Sequence, residues 1–371
     1  MVRRTRYTSF LAAAGFAAAL AAATAAPPAF AAGAVVDSGP PTTLASTVPA
    51  NGDVNPYGVA VVPESAGALH AGNVLVSNFN DSANLQGTGT TIMQVSPGGS
   101  VSTFAQIDAM HLPGDCPGGV GLTTALVALR SGWVIVGSLP TSDGTAATAK
   151  AGCLLVLDDH GTVRETIAGH GINGPWDMTA LDLGSVAQLF VTNVLNGTVN
   201  AGGATVDHGT VLRLTLTISG DDAPRVVDRD VIGSGFGEHS DPAALVVGPT
   251  GVGLAQNGTL YVADTVGNRI AAIPNAPWRS DSAGTGTTVT SGGWLNSPLG
   301  LAIGHDDSIL TVNAGDGNLV ATTPAGMQVQ KVQLDSSGSP AGAGALFGLA
   351  PVGSDNVYFV DDATNTLALL H

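Results

Sequence analysis

The sequence contains little charge, and basic charge in particular is scarce. Of its 371 residues 11% are charged, and 28 acidic residues against 12 basic ones give a formal net charge of −16. A surface with this excess of negative charge repels phosphate groups, which argues against nucleic acid or an anionic membrane as a partner. Beyond the N-terminal region no apolar run approaches the roughly 18 residues that a membrane span requires, so no span is predicted.

The common signatures of catalysis are also missing. The sequence contains no G-x-S-x-G nucleophile elbow, no H-E-x-x-H zinc motif, no Walker loop and no C-x-x-C pair. Nucleophile-elbow hydrolases and P-loop enzymes therefore have no support as functions. After the N-terminal region no segment has the apolar periodicity of an amphipathic helix, so short strands and turns are predicted throughout.

The first 31 residues have the three parts of a secretory signal peptide. A basic start, Met1–Arg6, precedes a long apolar stretch, and Ala29–Ala31 forms an A-x-A cleavage site. We therefore expect residues 1–31 to be removed and residues 32–371 to act in a secreted or periplasmic protein. The Arg3–Arg4 pair leaves the twin-arginine route open beside the general secretory route.

What the sequence does contain is a short phrase that returns six times. The phrase is a proline in most copies, any residue, a glycine or aspartate, an aliphatic residue and a small residue. Its central positions, at intervals of 61, 58, 74, 49 and 48 residues, are Gly58, Gly119, Asp177, Gly251, Gly300 and Gly348. Repeats of about 40 to 50 residues that each hold several short strands are typical of a β-propeller.

Three more predicted strands follow each phrase, and the first of them ends in a polar residue. These strand-end residues are Asn78, Ser138, Asn193, Asp264, Asn313 and Asp361. The sequence therefore predicts one all-β domain over residues 32–371, a six-bladed β-propeller of four-stranded antiparallel blades. The sixth copy stops at His371 after three strands, and we expect the N-terminal segment Thr42–Val48 to supply the fourth strand and close the ring.

One copy carries a family resemblance. The segment Gly248–Ile273 contains P-T-G-V-G, G-T-L-Y-V-A-D and G-N-R-I, and it resembles the NHL repeat, which reads P-x-G-φ-A, G-x-φ-Y-V-A-D and G-N-x-R-I. The resemblance implies a six-bladed ring related to gluconolactonase-type lactonases, strictosidine-synthase-like proteins and peptidylglycine amidating lyases. Recognition scaffolds without catalysis use the same fold, so the resemblance does not decide the chemistry.

The two cysteines are expected to lie on one face of the ring. Cys116 precedes the inner strand of the second blade, and Cys153 opens the third strand of that blade. The connection into an inner strand and the loop between second and third strands share one end of a propeller, which we call the upper face. A disulfide between Cys116 and Cys153 is predicted, and two separate buried thiols remain the alternative.

The upper face is also where a site is expected. The loops between second and third strands are long in the first three copies (78–90, 138–151 and 193–208) and are tight turns in the last three. Long loops on a rigid scaffold are where binding residues concentrate. The sequence therefore predicts a ligand site on the upper face, for a small molecule or for an extracytoplasmic protein.

Two sets of residues could hold a divalent metal there. His111, His170 and His239 precede three consecutive inner strands and are candidate ligands for zinc or copper. The amidating lyases place metal-binding histidines on similar connections, which the spacing here resembles. Gluconolactonase-type propellers hold a divalent cation with Asn and Asp oxygens, and the resemblance implies that role for Asn193 and Asp264, with calcium as a candidate. The alternative for the strand-end residues is to accept hydrogen bonds in local turns.

Two more residues complete the candidate site. Asp177 replaces the glycine of the other copies and stands beside Trp176, so both are predicted to line a ligand site, together with Asn78, Asn193 and Asp264. Asp177 and Glu238 are the candidates for moving a proton. Two hypotheses follow, a secreted binding propeller and a metal-dependent lyase or hydrolase at the channel mouth. The absence of a paired nucleophile and base favours binding.

Overall fold

The computed structural model describes residue 36 and residues 39–371. The signal peptide predicted for residues 1–31 lies outside the described residues. Among the described residues no helix is long and apolar enough to cross a bilayer. The strands, in chain order, are β1 (Thr42–Ser46), β2 (Val54–Val61), β3 (Val74–Asn80), β4 (Thr91–Val95), β5 (Val101–Gln106), β6 (Leu122–Ala128), β7 (Val134–Ser138), β8 (Cys153–Leu157), β9 (Val163–Ala168), β10 (Gly174–Asp182), β11 (Val186–Val194), β12 (Val206–Ser219), β13 (Asp222–Asp241), β14 (Leu245–Val247), β15 (Pro249–Leu254), β16 (Leu260–Asp264), β17 (Arg269–Ile273), β18 (Thr287–Ser291), β19 (Pro298–Ile303), β20 (Ile309–Asn313), β21 (Asn318–Thr322), β22 (Gln328–Gln333), β23 (Leu346–Val352), β24 (Asn356–Asp361) and β25 (Thr366–Leu370).

Over the described range these strands form six antiparallel sheets, one for each blade of a propeller. Blades one to five are β2–β5, β6–β9, β10–β14, β15–β18 and β19–β22, and blade six is β23–β25 with β1. Helix is confined to α1 (Thr198–Ala201) and two 3-10 turns, Ala146–Thr148 and Ala276–Trp278, in this part of the chain. The six-bladed, all-β fold predicted from the repeat is therefore confirmed.

The ring is closed by an N-terminal strand, as the sequence predicts. Strand β1 pairs antiparallel with β25, with Thr42 opposite Leu369 and Ser46 opposite Thr366. The backbone N–H of Thr47 then donates to the carbonyl of Asn365 over 3.0 Å. The outer edge of β25 is thus covered by a strand from the other end of the chain, and β1 becomes the outermost strand of blade six.

The glycine of the repeated phrase has a packing reason. It lies on the inner strand where neighbouring blades meet, and a Cβ built on Gly300 would overlap the carbonyl oxygen of Phe347 on blade six. A Cβ on Gly348 would overlap the carbonyl of Tyr57 on blade one in the same way. Only glycine allows these inner strands to approach so closely. The glycine of the phrase is therefore explained by the contact between neighbouring blades.

The structure of blade two corrects the sequence interpretation of the second copy of the phrase. Each inner strand pairs the first residue of its phrase with the polar residue that ends the second strand, as Pro175 pairs with Asn193. In blade two that partner of Ser138 is Leu122. The second residue after Leu122 is Thr124, whereas Gly119 lies before the strand begins. The phrase around Gly119 resembles the repeat in sequence but lies in the connection before β6. The residue of blade two that occupies the position of the repeat glycine is Thr124.

The predicted disulfide is present. Cys116 lies in the connection into β6 and Cys153 begins β8, and their Sγ atoms are bonded with a Cα–Cα distance of 5.2 Å. Cys153 is fully buried in the apolar cluster between blades one and two. The bond therefore joins an upper-face connection to the middle of its own blade.

Blade three departs furthest from the repeat. Strands β12 and β13 form a hairpin much longer than any other, and the end of β13 turns back so that His239–Asp241 pairs with β14. Blade three consequently has five strands, and residues 242–247, which include β14, follow the long hairpin and precede blade four. The sequence of this segment, PAALVV, is apolar.

Candidate functional site

The upper end of the channel is filled by apolar side chains. The residues that follow the first position of the phrase in blades one, three, five and six are Tyr57, Trp176, Leu299 and Phe347, and they meet in one buried cluster. The ring of Tyr57 stacks on the ring of Phe347, with centroids 3.9 Å apart. Because four different blades contribute, this cluster lies on the axis of the propeller and closes it.

A segment of blade three covers this cluster, and we call residues 243–247 the plug. Ala244, Leu245, Val246 and Val247 are buried in the same cluster. Trp176 Nε1 donates to the carbonyl of Val246 over 3.0 Å, and the hydroxyl of Tyr57 donates to the carbonyl of Ala243 over 3.3 Å. The plug is thus held by both apolar contact and hydrogen bonds to inner-strand aromatics.

The long upper loops support the plug. The strand ends confirm that these loops are long in blades one to three and tight in blades four to six. Gln86, in the loop of blade one, donates from Nε2 to the carbonyl of Pro242 over 2.7 Å. Ala149 of the blade-two loop and Leu195 of the blade-three loop pack into the plug cluster. The three expansions therefore share one structural task, which the sequence prediction of a binding rim did not include.

Between the plug and blades four to six lies an open cleft of about 570 Å³, which we call the upper cleft. Its floor contains Val247, Leu299 and Phe347, all apolar. The polar residues around it are His239, Asp241, Thr265, Asn268, Asn296 and Ser297. No lysine or arginine lines this cleft among the residues that the structure describes.

The hydrogen bonds of the upper cleft fix what its side chains can offer. His239 places Nδ1 2.8 Å from the carbonyl oxygen of Ser240, so Nδ1 carries the proton and Nε2 is left as an acceptor in the neutral ring. Asp241 accepts the backbone N–H groups of Ala243 and Ala244 over 2.8 and 2.9 Å. Asn268 accepts from Ser297 N over 2.9 Å. The Asp241 carboxylate and the Asn268 amide are therefore engaged in bonds that hold the walls of the cleft. The imidazole of His239 still has Nε2 available to accept a hydrogen bond from a ligand.

A second cavity of about 390 Å³ occupies the lower half of the channel, and we call it the lower cavity. The second halves of all six inner strands line it, with apolar side chains such as Leu126, Leu301 and Leu349. Arg130 and Asp182 stand at its mouth, where Arg130 N donates to Asp182 Oδ2 over 2.7 Å. The apolar cluster that contains Tyr57, Trp176 and Phe347 separates this cavity from the upper cleft.

Asp177 lines the lower cavity and is 8% exposed. Its Oδ1 accepts the N–H of Met178 over 2.8 Å, and its Oδ2 accepts the N–H of Val252 on blade four over 3.0 Å. Burial raises the pKa of the Asp177 carboxyl to about 8, against these two hydrogen bonds, which lower it. At neutral pH the side chain is therefore mainly the neutral acid, able to donate a hydrogen bond.

Trp176 and Asp177, predicted as partners in one site, lie in different surroundings. Trp176 is 2% exposed and belongs to the plug cluster, whereas Asp177 borders the lower cavity. Neighbouring side chains on a strand point in opposite directions, which separates them. Their shared role as ligand-lining residues stays a prediction, and the structure places only Asp177 at a cavity.

Glu238, the second candidate for moving a proton, is fully buried. Its Oε1 accepts the backbone N–H of Asn196 over 2.6 Å. Burial raises the pKa of the Glu238 carboxyl to about 7, while the bonds from Asn196 and the nearby His208 lower it. The carboxyl thus holds the long loop of blade three, and a catalytic role for it stays a prediction.

The three histidines of the predicted metal site have separate surroundings. His111 is exposed and places Nδ1 2.6 Å from Asp108 Oδ2, His170 is exposed in a tight turn with a positive φ of 53°, and His239 lies in the upper cleft. Among the described residues the one set of three metal-ligating groups within 4.8 Å of one another is Asp158, Asp159 and His160. The zinc or copper site at His111, His170 and His239 stays a prediction that this arrangement does not support.

The strand-end polar residues are engaged in local structure. Asn78 donates to Thr47 O over 3.0 Å, and Asp264 accepts from Gly267 N and Arg269 Nε over 3.1 and 2.7 Å. The others, Ser138, Asn193, Asn313 and Asp361, also bond within turns or between connections. These bonds match the alternative of local turn bonding. Ligand or calcium binding by Asn78, Asn193 and Asp264 stays a prediction.

Sequence reasoning missed the plug and the upper cleft that it bounds. The signal that could have found them is the apolar run at 242–247, which has no position in the repeat. An apolar segment in a surface connection must be covered by something, and the largest opening in a propeller is its central channel.

The comparisons with known proteins agree on the fold. No family model and no curated protein matches the sequence. A gluconolactonase from Xanthomonas campestris has a TM-score of 0.52 at 12% identity, over 90% of this chain and 95% of that one. A catalytically inactive virginiamycin B lyase from Staphylococcus aureus, solved with quinupristin, has a TM-score of 0.50 at 15% identity, over 88% and 84%.

At these identities the similarity establishes the fold and leaves the activity open. The NHL repeat remains a resemblance of the fourth copy, without a matching family model. The chain is a six-bladed β-propeller with structural neighbours of the gluconolactonase and virginiamycin B lyase type.

Proposed function

We propose that this chain is an extracytoplasmic propeller that binds a small uncharged or cationic molecule in the upper cleft. The observation that carries the proposal is the cleft itself, which has an apolar floor and a polar rim. Its volume of about 570 Å³ falls in the range of small-molecule sites. His239, with Nε2 free to accept a hydrogen bond, is the side chain that would orient the ligand.

Charge narrows the class of ligand. The sequence has a net charge of −16, the cleft is bordered by Asp241, and its described lining contains no basic residue. An anion entering the cleft would meet repulsion without a partner. Neutral molecules with hydroxyl or amide groups, and weak bases, therefore fit the site better than phosphates or carboxylic acids.

The extracytoplasmic location is part of the same proposal. Its supports are the signal-peptide pattern of residues 1–31 and the Cys116–Cys153 bond, since disulfides persist in oxidising compartments. Release of a chain that begins after Ala31 into the periplasm or medium, identified by N-terminal sequencing, is the expected outcome. A chain retained with residues 1–31 intact would contradict this part.

A metal-dependent lyase or hydrolase remains the second hypothesis. Its supports are the enzymes that share the fold and the free Nε2 of His239, which could act as a base. Around His239 a metal ion would need further donors, since the one described group of three metal-ligating side chains, Asp158, Asp159 and His160, lies in the turn between β8 and β9. Elemental analysis of the purified protein decides it, because stoichiometric metal would favour this hypothesis over simple binding.

The test uses thermal shift and calorimetry with a fragment library divided into neutral, cationic and anionic compounds. Neutral or cationic fragments are expected to bind the wild-type protein, and His239→Ala and Asn296→Ala are expected to weaken that binding at least about 5-fold. The matched control is His160→Ala, which removes an exposed histidine on the opposite face and should leave binding unchanged. Binding that is confined to anions, or that survives both cleft substitutions, would overturn the proposal.

A further inference from the structure

We propose that the upper cleft is one half of a longer site, which crosses the hairpin of residues 239–247 and binds a linear molecule with an amino group at each end. This inference rests on the proposed function, because it extends the upper cleft and narrows the class of ligand. Its supports are a second cleft beside the same hairpin, the alternation of side chains along that hairpin, and the hydrogen-bond acceptors that the two clefts share.

The second cleft adjoins the hairpin on the side of blades one and two, and we call it the loop cleft. Its volume is about 350 Å³. Its walls are formed by two long loops and the hairpin, with Gln86, Gly144, Thr145, Ala146, Ser240, Asp241, Pro242 and Leu245 as the lining residues. Asp241 also lines the upper cleft, so the two clefts meet at this residue.

The strand pairing of the hairpin explains why it borders both clefts. His239–Asp241 pairs with Leu245–Val247 in antiparallel register. Side chains alternate between the two faces of a strand, and accordingly His239 lines the upper cleft whereas Ser240 lines the loop cleft. The turn of the hairpin, Pro242–Ala243, is exposed. It therefore forms an apolar ridge that a ligand longer than one cleft would cross.

Hydrogen-bond acceptors are available along this path. His239 keeps Nε2 free, because Nδ1 donates to the carbonyl of Ser240. Asp241 accepts both of its backbone hydrogen bonds at Oδ1, which leaves Oδ2 without a donor among the described residues. The hydroxyl of Ser240, in the loop cleft, has no partner in that part of the chain either. Each cleft therefore offers one acceptor of its own, and the carboxylate lies where the clefts meet.

These acceptors decide the chemistry of the ligand. A carboxylate favours a cation that can donate hydrogen bonds to it, and an ammonium group offers three donors and no acceptor. Neither cleft has a lysine or arginine among its described lining residues, so a second positive charge meets no repulsion. The methylene chain between two ammonium groups suits the apolar ridge at Pro242–Ala243. A linear diamine therefore fits the whole path, whereas a compact amine fits the upper cleft alone.

The experiment measures by calorimetry the affinity of α,ω-diamines of increasing chain length, from putrescine upward, each beside the alkylamine of the same length. Once the chain reaches both clefts, the diamine is expected to bind at least about 10-fold more tightly than its alkylamine, because the second contact becomes intramolecular. Short diamines should show no such gain, which sets a threshold length.

Two variants locate the gain in the loop cleft. Thr145→Trp fills this cleft from an exposed position and should abolish the gain, while alkylamines bind as before. Ser142→Trp is the matched control, because Ser142 is exposed in the same loop and lies outside the lining of the cleft. Ser240→Ala removes a hydroxyl with little change in shape and should weaken long diamines about 3-fold, which keeps the test open if Thr145→Trp fails to fold.

His239→Ala separates this inference from the proposed function, since it should weaken diamines and alkylamines alike. Alkylamines that bind through His239 while long diamines show no gain would overturn the longer site and leave the upper-cleft proposal standing. A gain that persists in both Thr145→Trp and Ser240→Ala would also overturn it. If no amine and no neutral fragment binds in the upper cleft, both proposals fail together.

Discussion

Blades one to three and blades four to six are two versions of one repeat. In blades four to six the phrase begins at Pro249, Pro298 and Leu346, and the strand-end residue follows 15 positions later in each, at Asp264, Asn313 and Asp361. In blades one to three the same distance varies, and the upper loops are long. The regular half keeps glycine at the second position of every phrase, whereas the irregular half has Gly58, Thr124 and Asp177.

The difference between the two halves shows which blades carry features that the repeat itself does not require. The irregular half contains the disulfide, the plug, the three long loops and the polar residues that line the lower cavity, which are Thr124, Arg130, Asp177, Thr179 and Asp182. The regular half provides tight turns and, with Leu299 and Phe347, most of the apolar floor of the upper cleft. The upper cleft therefore combines a regular wall with groups from the irregular half, His239 and Val247.

The largest expected effect comes from the disulfide of the irregular half. Replacing both Cys116 and Cys153 with serine frees a loop of 37 residues, and the chain-entropy relation gives a loss of about 3–4 kcal/mol in the free energy of unfolding. Urea denaturation of the double variant measures it. Since the regular half has no such bond, unchanged stability would mean that the crosslink does not stabilise blade two.

The next effect compares two substitutions at equivalent positions. Gly300→Ala in the regular half places a Cβ against Phe347 O, and overpacking of this kind should cost about 3 kcal/mol. Asp177→Gly in the irregular half removes the acceptor of two buried backbone groups, Met178 N and Val252 N, and should cost about 1–2 kcal/mol. Thermal and urea denaturation compare the two. A loss for Asp177→Gly that equals or exceeds that for Gly300→Ala would show that the hydrogen bond to blade four matters more than the packing of the inner-strand glycine.

The pH dependence of stability follows from the raised pKa of Asp177. In the unfolded chain this carboxyl ionises near pH 4, whereas in the folded protein it holds its proton up to about pH 8. Stability from this group is complete below about pH 4 and is lost as the pH rises towards 8. Asp177→Asn should remove about 2 kcal/mol of the fall in stability between pH 5 and pH 7.

Glu238 provides the comparison for that experiment. Its pKa is raised to about 7 by burial, so Glu238→Gln should act in the same direction and over a narrower range of pH. Urea denaturation at several pH values, with each variant measured beside the wild type, gives both slopes. A pH profile that Asp177→Asn leaves unchanged would mean that this carboxyl is ionised in the folded state.

The smallest effect concerns the attachment of the plug. Trp176→Phe removes the hydrogen bond to Val246 O while keeping most of the apolar contact, and should cost about 1 kcal/mol. Trp278→Phe is the control, because Trp278 is 75% exposed and should change nothing measurable. Hydrogen exchange at Val246 and Val247 should also accelerate in Trp176→Phe alone. Equal exchange in both variants would contradict our account of the plug.

Much of the fold could be predicted because the sequence repeats one pattern at fairly regular intervals. The spacing of the phrases predicts the number of blades, the three strands of the last copy predict closure by Thr42–Val48, and the positions of Cys116 and Cys153 in one blade predict their bond. Each of these inferences needs only the order of short segments along the chain. The tight turns of blades four to six follow from the same regularity.

The site was less predictable because it depends on contacts between distant segments. The phrase at Gly119 matches the repeat in letters, yet strand pairing assigns its place to Thr124. The axial position of Trp176 depends on the plug, which comes about 70 residues later. Three histidines on the connections into successive blades share a face, but a shared face does not fix the distances between their rings.

The most direct test of binding in the upper cleft is a crystallographic fragment screen of the wild-type protein. We predict that neutral and cationic fragments will cluster between the plug and blades four to six, with a polar atom on His239 Nε2 and an apolar part on Leu299 and Phe347. Fragments that leave this cleft empty and gather on the long loops of blades one to three would contradict the account.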